Sequence, residues 1–594
     1  MPSLQKTNRA PVGRRRAAGC AAVALALFAG GAQAAPKVLD HVPADAPVVI
    51  SIGNVGELLN DIDAFNVMLG DKGMPEAGFV TMMGRGMPGL NLDGSAAVVL
   101  NFDPENPDAM GDDDVVILVP VSDFGAFTQQ GAADNGVVEF MLGDQPAFAR
   151  QLGDGFAAMG PAADAVRGFA GDAGRMGAHS NRLGHSGLAI ADTSDVTIIA
   201  NVAPFRPRLL QGMQDAQQQA VFYAGMSAQG QDVATPINAM MDLVRAYVND
   251  AQTGVVGISY DAGGVTLDLG TQFTPDSDSA KGFDKRGDAA TLLNRVPGGD
   301  YYLAYAMDLR SPELAKLAAQ AQAMSASMPG AGSMPGQPEF ADIIDHATGT
   351  AGVMGTSPAL MSAGVLSNMV SYVRTNDAAA YAEMVSESLN GSNGQASQGM
   401  SFATSYTADA KNVQGVPVDS YAVKISVDQA AGGNMGMGSP QQMIGMMFGP
   451  SQGPNGHIAR LDSGVIQTVS PSTELLERAI GAAKNGNGLG ADGRVMNVSK
   501  RLPEHRMGEA YLSLDQIFNS VGPIASMFGV LPNFQPAPAM DPVAMGVATI
   551  DGGVHMRTFI PNDVIKTGVA MAPERPDAMD DGWGDEPADE DPEF

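Results

Sequence analysis

Two spacings of apolar residues take turns along this chain. Alternating or continuous apolar runs of strand length appear at Pro47–Ile52, Val115–Val121, Tyr301–Ala306, Val370–Arg374, Thr266–Phe273 and His555–Ile560. Between them lie stretches with helical periodicity, at Leu58–Leu69 and from Pro312 to about Ala323.

The order of these elements repeats. Val42-Pro43 precedes the first strand–helix step, and Val296-Pro297 precedes a second one. The strand Val115–Val121 runs into Ser122-Asp123 with Phe127 beyond, and Val370–Arg374 runs into Asn376-Asp377 with Tyr381 beyond. In both places a short polar side chain is set to cap a helix. Gly160-Pro161 and Ser470-Pro471 each stand before a helical segment, where proline suits the first helical position because its missing N–H has no partner there. Asp261-Ala262-Gly263-Gly264 and Asp551-Gly552-Gly553 each separate two alternating runs, which signals a hairpin turn.

Four matches in one order predict an α+β chain of two tandem copies, residues 42–276 and 296–562, with 277–295 as linker. Short strands joined by hairpins predict, in each copy, an antiparallel sheet with helices packed on one face. Copy one carries an insertion, Gln211–Asp250, which ends in an amphipathic helix with Ile237, Met240, Met241, Val244 and Val248 on one stripe. Copy two carries a Gly- and Met-rich loop from Gln429 to Asn455.

Both ends of the chain differ from the middle. Lys6, Arg9 and Arg14–Arg16 form a basic region, an apolar stretch follows to about Ala29, and Ala32-Gln33-Ala34 fits a small-x-small cleavage site. Residues 1–34 therefore read as a signal peptide, too short in its apolar part to stay as a membrane anchor. Location is expected to be periplasmic or secreted, through Gram-negative-type bacterial export. Removal of 1–34 takes five of the 34 basic residues and none of the 65 acidic ones, so the formal charge moves from -31 to -36. It also takes Cys20, the one cysteine, leaving a chain without disulfide or thiol chemistry. Residues 571–594, acid- and proline-rich, are expected to form a disordered tail. So acidic a chain argues against nucleic acid as a partner.

The chain lacks the common catalytic signatures: no HExxH, CxxC, GxxxxGK[ST] or GxSxG is present. Gly184-His185-Ser186-Gly187 approaches a nucleophile elbow, but Leu188 stands where its last glycine belongs. His179 and His185 fall in a Gly/Ser/Asn-rich stretch that reads as a solvated loop. Asp103, Asp108, Asp112 and Asp114 crowd one loop as weak calcium candidates, without EF-hand spacing. Met435, Met437, Met443 and Met446 are weak copper(I) candidates, since thioethers suit that soft ion. Flexible methionine also serves adaptable apolar surfaces, so the preferred reading of Met443, Met446, Met447 and Phe448 is a flap over a ligand, with plain packing as a further alternative. No catalytic residue and no cofactor is assigned.

The opening Val42-Pro43-Ala44-Asp45-Ala46-Pro47, the Val119-Pro120-Val121-Ser122-Asp123 step and the stretch Gly264–Ala280 resemble exported bacterial proteins of planctomycetes and some proteobacteria, catalogued only as a domain of unknown function. The resemblance implies an extracytoplasmic location and no activity. Two functions follow as expectations. The first is a non-enzymatic binding or scaffold protein of the cell envelope, with an apolar small molecule, peptide or envelope protein as partner. The second is a hydrolase whose site is assembled from distant residues. An apolar pocket favours the first; a cleft bringing His, Asp and Ser within hydrogen-bond reach favours the second.

Overall fold

A computed structural model describes residues 36–571 except 74, 107–109, 144, 170–175, 228–233, 314, 317–339, 358–363, 398–399, 428–439 and 528–533. Residues 1–34, expected as a signal peptide, and all of the expected tail beyond Met571 thus lie outside the described residues. The described chain is α+β, with antiparallel strands throughout, and it divides into two compact units. The first gathers Met1–Leu58, Met87–Pro204 and Thr253–Gly257; the second gathers Leu59–Gly86, Phe205–Gln252 and Ile258–Phe594.

In the first unit the strands are β1 (Val48–Ile52), β2 (Ala96–Leu100), β3 (Val115–Pro120), β4 (Ala132–Asp134), β5 (Val137–Leu142), β6 (Gln145–Gln151), β7 (Phe156–Gly160) and β8 (Val196–Asn201). They pair in the order β8-β1-β2-β3-β7-β6-β5-β4. Strand β9 (Ala251–Asp261) has its middle, Thr253–Gly257, in this unit and both its ends in the second.

The second unit contains β10 (Gly264–Phe273), β11 (Tyr301–Asp308), β12 (Gly349–Gly355), β13 (Met369–Arg374), β14 (Ala396–Ser397), β15 (Met400–Val413), β16 (Val416–Val427), β17 (Asn455–Leu461), β18 (Gly464–Val469), β19 (Arg506–Leu512), β20 (Val543–Ile550) and β21 (Gly553–Pro561). Their order is β10-β21-β20-β19-β11-β12-β13-β18-β17-β16-β15-β14.

Local chemistry sets the element boundaries. Asp123 caps Phe124–Phe127 by accepting from the Ala126 amide at 3.0 Å, and Asp377 caps Ala378–Ser392 by accepting from Ala380 at 2.9 Å. Ser472 caps Thr473–Asn485 through the Leu475 amide. Pro471 therefore lies one residue ahead of the cap, outside the helix, because the serine hydroxyl claims the cap position. Pro161 likewise precedes the cap residue Ala162. The β20–β21 turn puts Asp551 and Gly552 at φ 46° and 75°, the left-handed pair that a two-residue hairpin requires.

Helices cover both faces of the second unit's sheet, not one. Neighbouring strand residues point opposite ways: Val465 joins a cluster with Tyr381, Val385 and Leu389 of Ala378–Ser392, while Ile466 joins one with Leu476, Ala479 and Ile480 of Thr473–Asn485. The first unit behaves alike, with Ala158 and Ala157 in separate clusters. Every residue of β7 is buried. Continuous apolar runs such as Val115–Val121 are the trace of such two-sided burial, since a sheet with one wet face alternates.

The stretch 277–295, expected as linker, holds the helix Asp278–Gly282 and the 3-10 turns Ala289–Arg295, whose Ala289, Leu292 and Leu293 are buried in the second unit's core. The Gln211–Asp250 stretch is helical from Val202 to Ser227 and from Ala234 to Asp250 around an undescribed connection.

Candidate functional site

The Met- and Gly-rich stretch of the second unit contributes a helix, Pro440–Phe448, followed by a 3-10 turn, Gly449–Ser451. What was expected as one loop is thus helical over residues 440–451, while 428–439 lies outside the described residues. The helix is held at its C-terminal end: the amides of Val365 and Leu366 donate to the Met446 and Met447 carbonyls at 3.0 and 2.9 Å, satisfying groups a helix end leaves open. Gly364 makes this approach at φ 86°, where a Cβ would come within 2.6 Å of the Met447 carbonyl oxygen. Beyond the helix, Ile425 and Val423 of β16 donate to the carbonyls of Gln452 and Pro454, stitching the chain to the sheet. Gly453 is needed there, since a Cβ would lie 2.0 Å from the Val423 oxygen.

This anchoring builds a cavity of about 400 Å³ between the helix end and the ends of β13, β17 and β18. Phe448, Pro450, Val469 and Pro471 form its apolar wall, and Asn368, Asn455 and Ser470 are among its polar groups. Its size falls within the range of small-molecule sites. Phe448 is buried in the core beneath, with Met447 partly buried beside it, whereas Met446 faces solvent. The Met443 backbone belongs to the helix, and its side chain lies outside the described residues, as do Met435 and Met437. Phe448 could be picked from the sequence; Val469 and Pro471 lie near it only because β18 folds back.

Behind Pro471 sits His457 on β17, buried, with Nδ1 3.2 Å from Ser420 Oγ and Nε2 3.1 Å from Lys411 Nζ and 3.3 Å from the Pro471 carbonyl. Desolvation lowers its pKa below 6.5, opposed by the Pro471 carbonyl and aided by the Lys411 charge. A neutral imidazole donating from Nδ1 to Ser420 and accepting at Nε2 from Lys411 meets the first two contacts, whereas the Pro471 carbonyl needs the other tautomer, with Nε2 donating. Ser, His and Lys are together here, but among the described residues no carboxylate orients the imidazole, and the lysine opposes an imidazolium. The nearby Asp419 is engaged elsewhere, by Tyr406 at 2.6 Å and by Arg460 at 3.2 Å.

A depressed histidine pKa has a pH consequence. The unfolded chain takes up a proton near pH 6.5 before the folded chain does, so folded stability from this group is full above that pH and falls on acidification. Thermal unfolding at pH 7.5 and 5.5 is expected to show a smaller acid loss in His457→Gln than in the parent; equal losses would remove His457 as the cause.

The other sequence candidates stand apart. His179 and His185 lie on the helix Met176–Ala191, kinked at Gly184, and not in a loop. His179 is buried, its Nε2 2.9 Å from the Val42 carbonyl oxygen, and Ser186 is fully buried, unlike an exposed nucleophile. Asp103 accepts from the Glu105 amide and Asp114 from the Gly111 amide, both at 2.9 Å, as turn and cap groups. Asp112 is exposed, and Asp108 lies outside the described residues. Among the described residues no three His, Cys, Asp or Glu groups are placed to hold a metal ion, and no helix is long and apolar enough to cross a membrane.

One polar constellation gave no sequence signal. Asp268 of β10 is fully buried and accepts from His555 Nε2 at 2.7 Å and from Arg557 Nε and Nη2 at 2.6 and 2.9 Å, both partners on β21. Residues almost 290 positions apart meet here only through the β10–β21 pairing. Comparison of the chain with protein-family models, curated proteins and solved structures gives no match.

Proposed function

We propose that this chain is an exported cell-envelope protein that binds an apolar ligand, lipid-like or peptide, without transforming it. The observation that carries the reading is the cavity of about 400 Å³ whose wall includes Phe448, from the stretch the sequence marks as a flap. Apolar lining with a few polar groups at hand suits a hydrophobic ligand that needs orientation more than chemistry. The basic–apolar–small-residue start at residues 1–34 supports export to the periplasm or beyond, in keeping with the resemblance to exported bacterial proteins.

The same proposal includes descent by tandem duplication. In its support, β8-β1-β2-β3-β7-β6-β5 of the first unit and β19-β11-β12-β13-β18-β17-β16 of the second pair in one order. An aspartate caps the helix after the corresponding third strand in both, Asp123 after β3 and Asp377 after β13.

Native mass spectrometry of the protein from its own envelope fraction, with denatured mass as reference, tests the reading. The expected result is a denatured mass matching a chain that begins after Ala34, together with a native increment of lipid or peptide size. Asn455→Trp, which fills the cavity from its rim, is expected to lose that increment. A bare polypeptide, or an increment that survives Asn455→Trp, would overturn the binding assignment.

A further inference from the structure

A second cavity of the second unit, about 240 Å³, is lined by Lys285, Arg286, Gly287, Asp308, Arg310, Ser311 and Met507. Three cations on one wall stand out in a chain with 34 basic residues against 65 acidic ones.

The single carboxylate on that wall is already committed. Asp308 accepts from Arg310 Nε at 2.8 Å, from the Arg310 amide at 3.1 Å and from the Asp288 amide at 3.0 Å, and Arg374 Nη2 stands 3.6 Å away. Asp288 in turn pairs with Arg374 at 3.0 Å and with Arg310 at 3.0 Å. Two acids and two arginines thus balance each other, and Lys285 and Arg286 are left as surplus positive charge. Both are exposed, and neither has a carboxylate partner among the described residues.

The backbone that carries them is fixed. The Thr549 hydroxyl donates to the Lys285 carbonyl, and the Gly287 amide donates to the His505 carbonyl at 3.1 Å. Gly287 packs so tightly that a Cβ would lie 2.3 Å from the Arg506 oxygen, which pins the loop against β19. Loop and cavity therefore present the cations as a set, with Lys285 Nζ 3.5 Å from the Arg310 carbonyl.

We propose that this cavity is a binding site for a small oxyanion of the phosphate class, held by Lys285 and Arg286 beside the carboxylate-paired Arg310. Cations set in a concave wall concentrate anions, and charge-assisted hydrogen bonds from guanidinium and ammonium groups are the strong ones for phosphate. The volume lies below that of sites for drug-sized molecules, so it takes a free anion or the terminal phosphate of a small molecule.

Inorganic phosphate is the probe, titrated into the full-length protein by calorimetry at constant ionic strength with chloride as balancing anion. Saturable binding is expected, weakened about tenfold or more in Arg286→Glu, because each charge-assisted bond contributes on that scale, and lost in the Lys285→Glu/Arg286→Glu double variant. Lys424→Glu, exposed on β16, serves as charge control and is expected to bind as the parent does. Asn455→Trp is also expected to bind phosphate normally, which separates this site from the apolar cavity. Absence of saturable binding in the parent, equal binding in the double variant, or an equal loss in Lys424→Glu would overturn the assignment.

Discussion

Asp268→Ala is expected to destabilise the protein by about 3–5 kcal/mol, because it leaves the guanidinium of Arg557 and the ring of His555 beside an empty, dry site. The carboxylate is fully buried, and three hydrogen bonds from these two side chains replace its water shell. Burial by itself would raise its pKa; the bonds and charges of His555 and Arg557 outweigh that and hold it below the usual 3.8. A depressed folded-state value means that the unfolded chain binds the proton first. The contribution is therefore complete above about pH 3.8 and is lost as pH falls through the lower folded value. Chemical denaturation of parent and variant should accordingly differ most near neutrality and converge in strong acid. Replacing Asp268, His555 and Arg557 together by apolar residues of similar size is expected to recover much of the loss, since no charge is then stranded. A single variant as stable as the parent would show that water reaches the cluster.

Phe448→Ala carries the second large effect, again about 3–5 kcal/mol, from lost burial and the cavity left behind. Its ring lies in the core with Ile444, Val423 and Ile425, and also lines the cavity of about 400 Å³. Truncation therefore merges core and pocket. Denaturation midpoints should fall, and an apolar ligand co-purifying with the parent should be bound less tightly. Phe448→Leu is expected to keep more of the stability while still altering the cavity wall. If Phe448→Ala left both stability and ligand retention unchanged, Phe448 would be neither core residue nor pocket wall.

What could be read from sequence, and what could not, follows the range of the forces involved. Asp123, Asp377 and Asp551-Gly552 were legible because a cap or tight turn is decided by a few adjacent residues. The helix around His179 was not, because its Gly, Ser and Asn content has low intrinsic propensity; burial of Leu183 and Ile190 overrides it. Helices on both sheet faces were missed because fully buried strands lose the alternation that would mark a wet face. Phe448 was visible as part of an apolar stretch, but its partners Val469 and Pro471 come to it through strand pairing. The Asp268 cluster draws on residues almost 290 positions apart, and the cationic cavity, though Lys285, Arg286 and Arg310 are close in sequence, needs Met507 to complete its lining, so no local pattern announces either.

The β10–β21 pairing also bears on how the chain reaches its native state. Asp268 and Arg557 are 289 residues apart in sequence, so their meeting closes one of the longest loops in the molecule. Contacts of such high sequence separation form slowly and late, since the entropy of closing the loop is spent before any of them is made. Until β21 arrives, β10 offers an open strand edge, with Leu267 and Leu269 on its outward side. β10 is thus an aggregation-prone seam in every partly folded chain or one truncated before β21, and the native protein closes it only when β21 pairs.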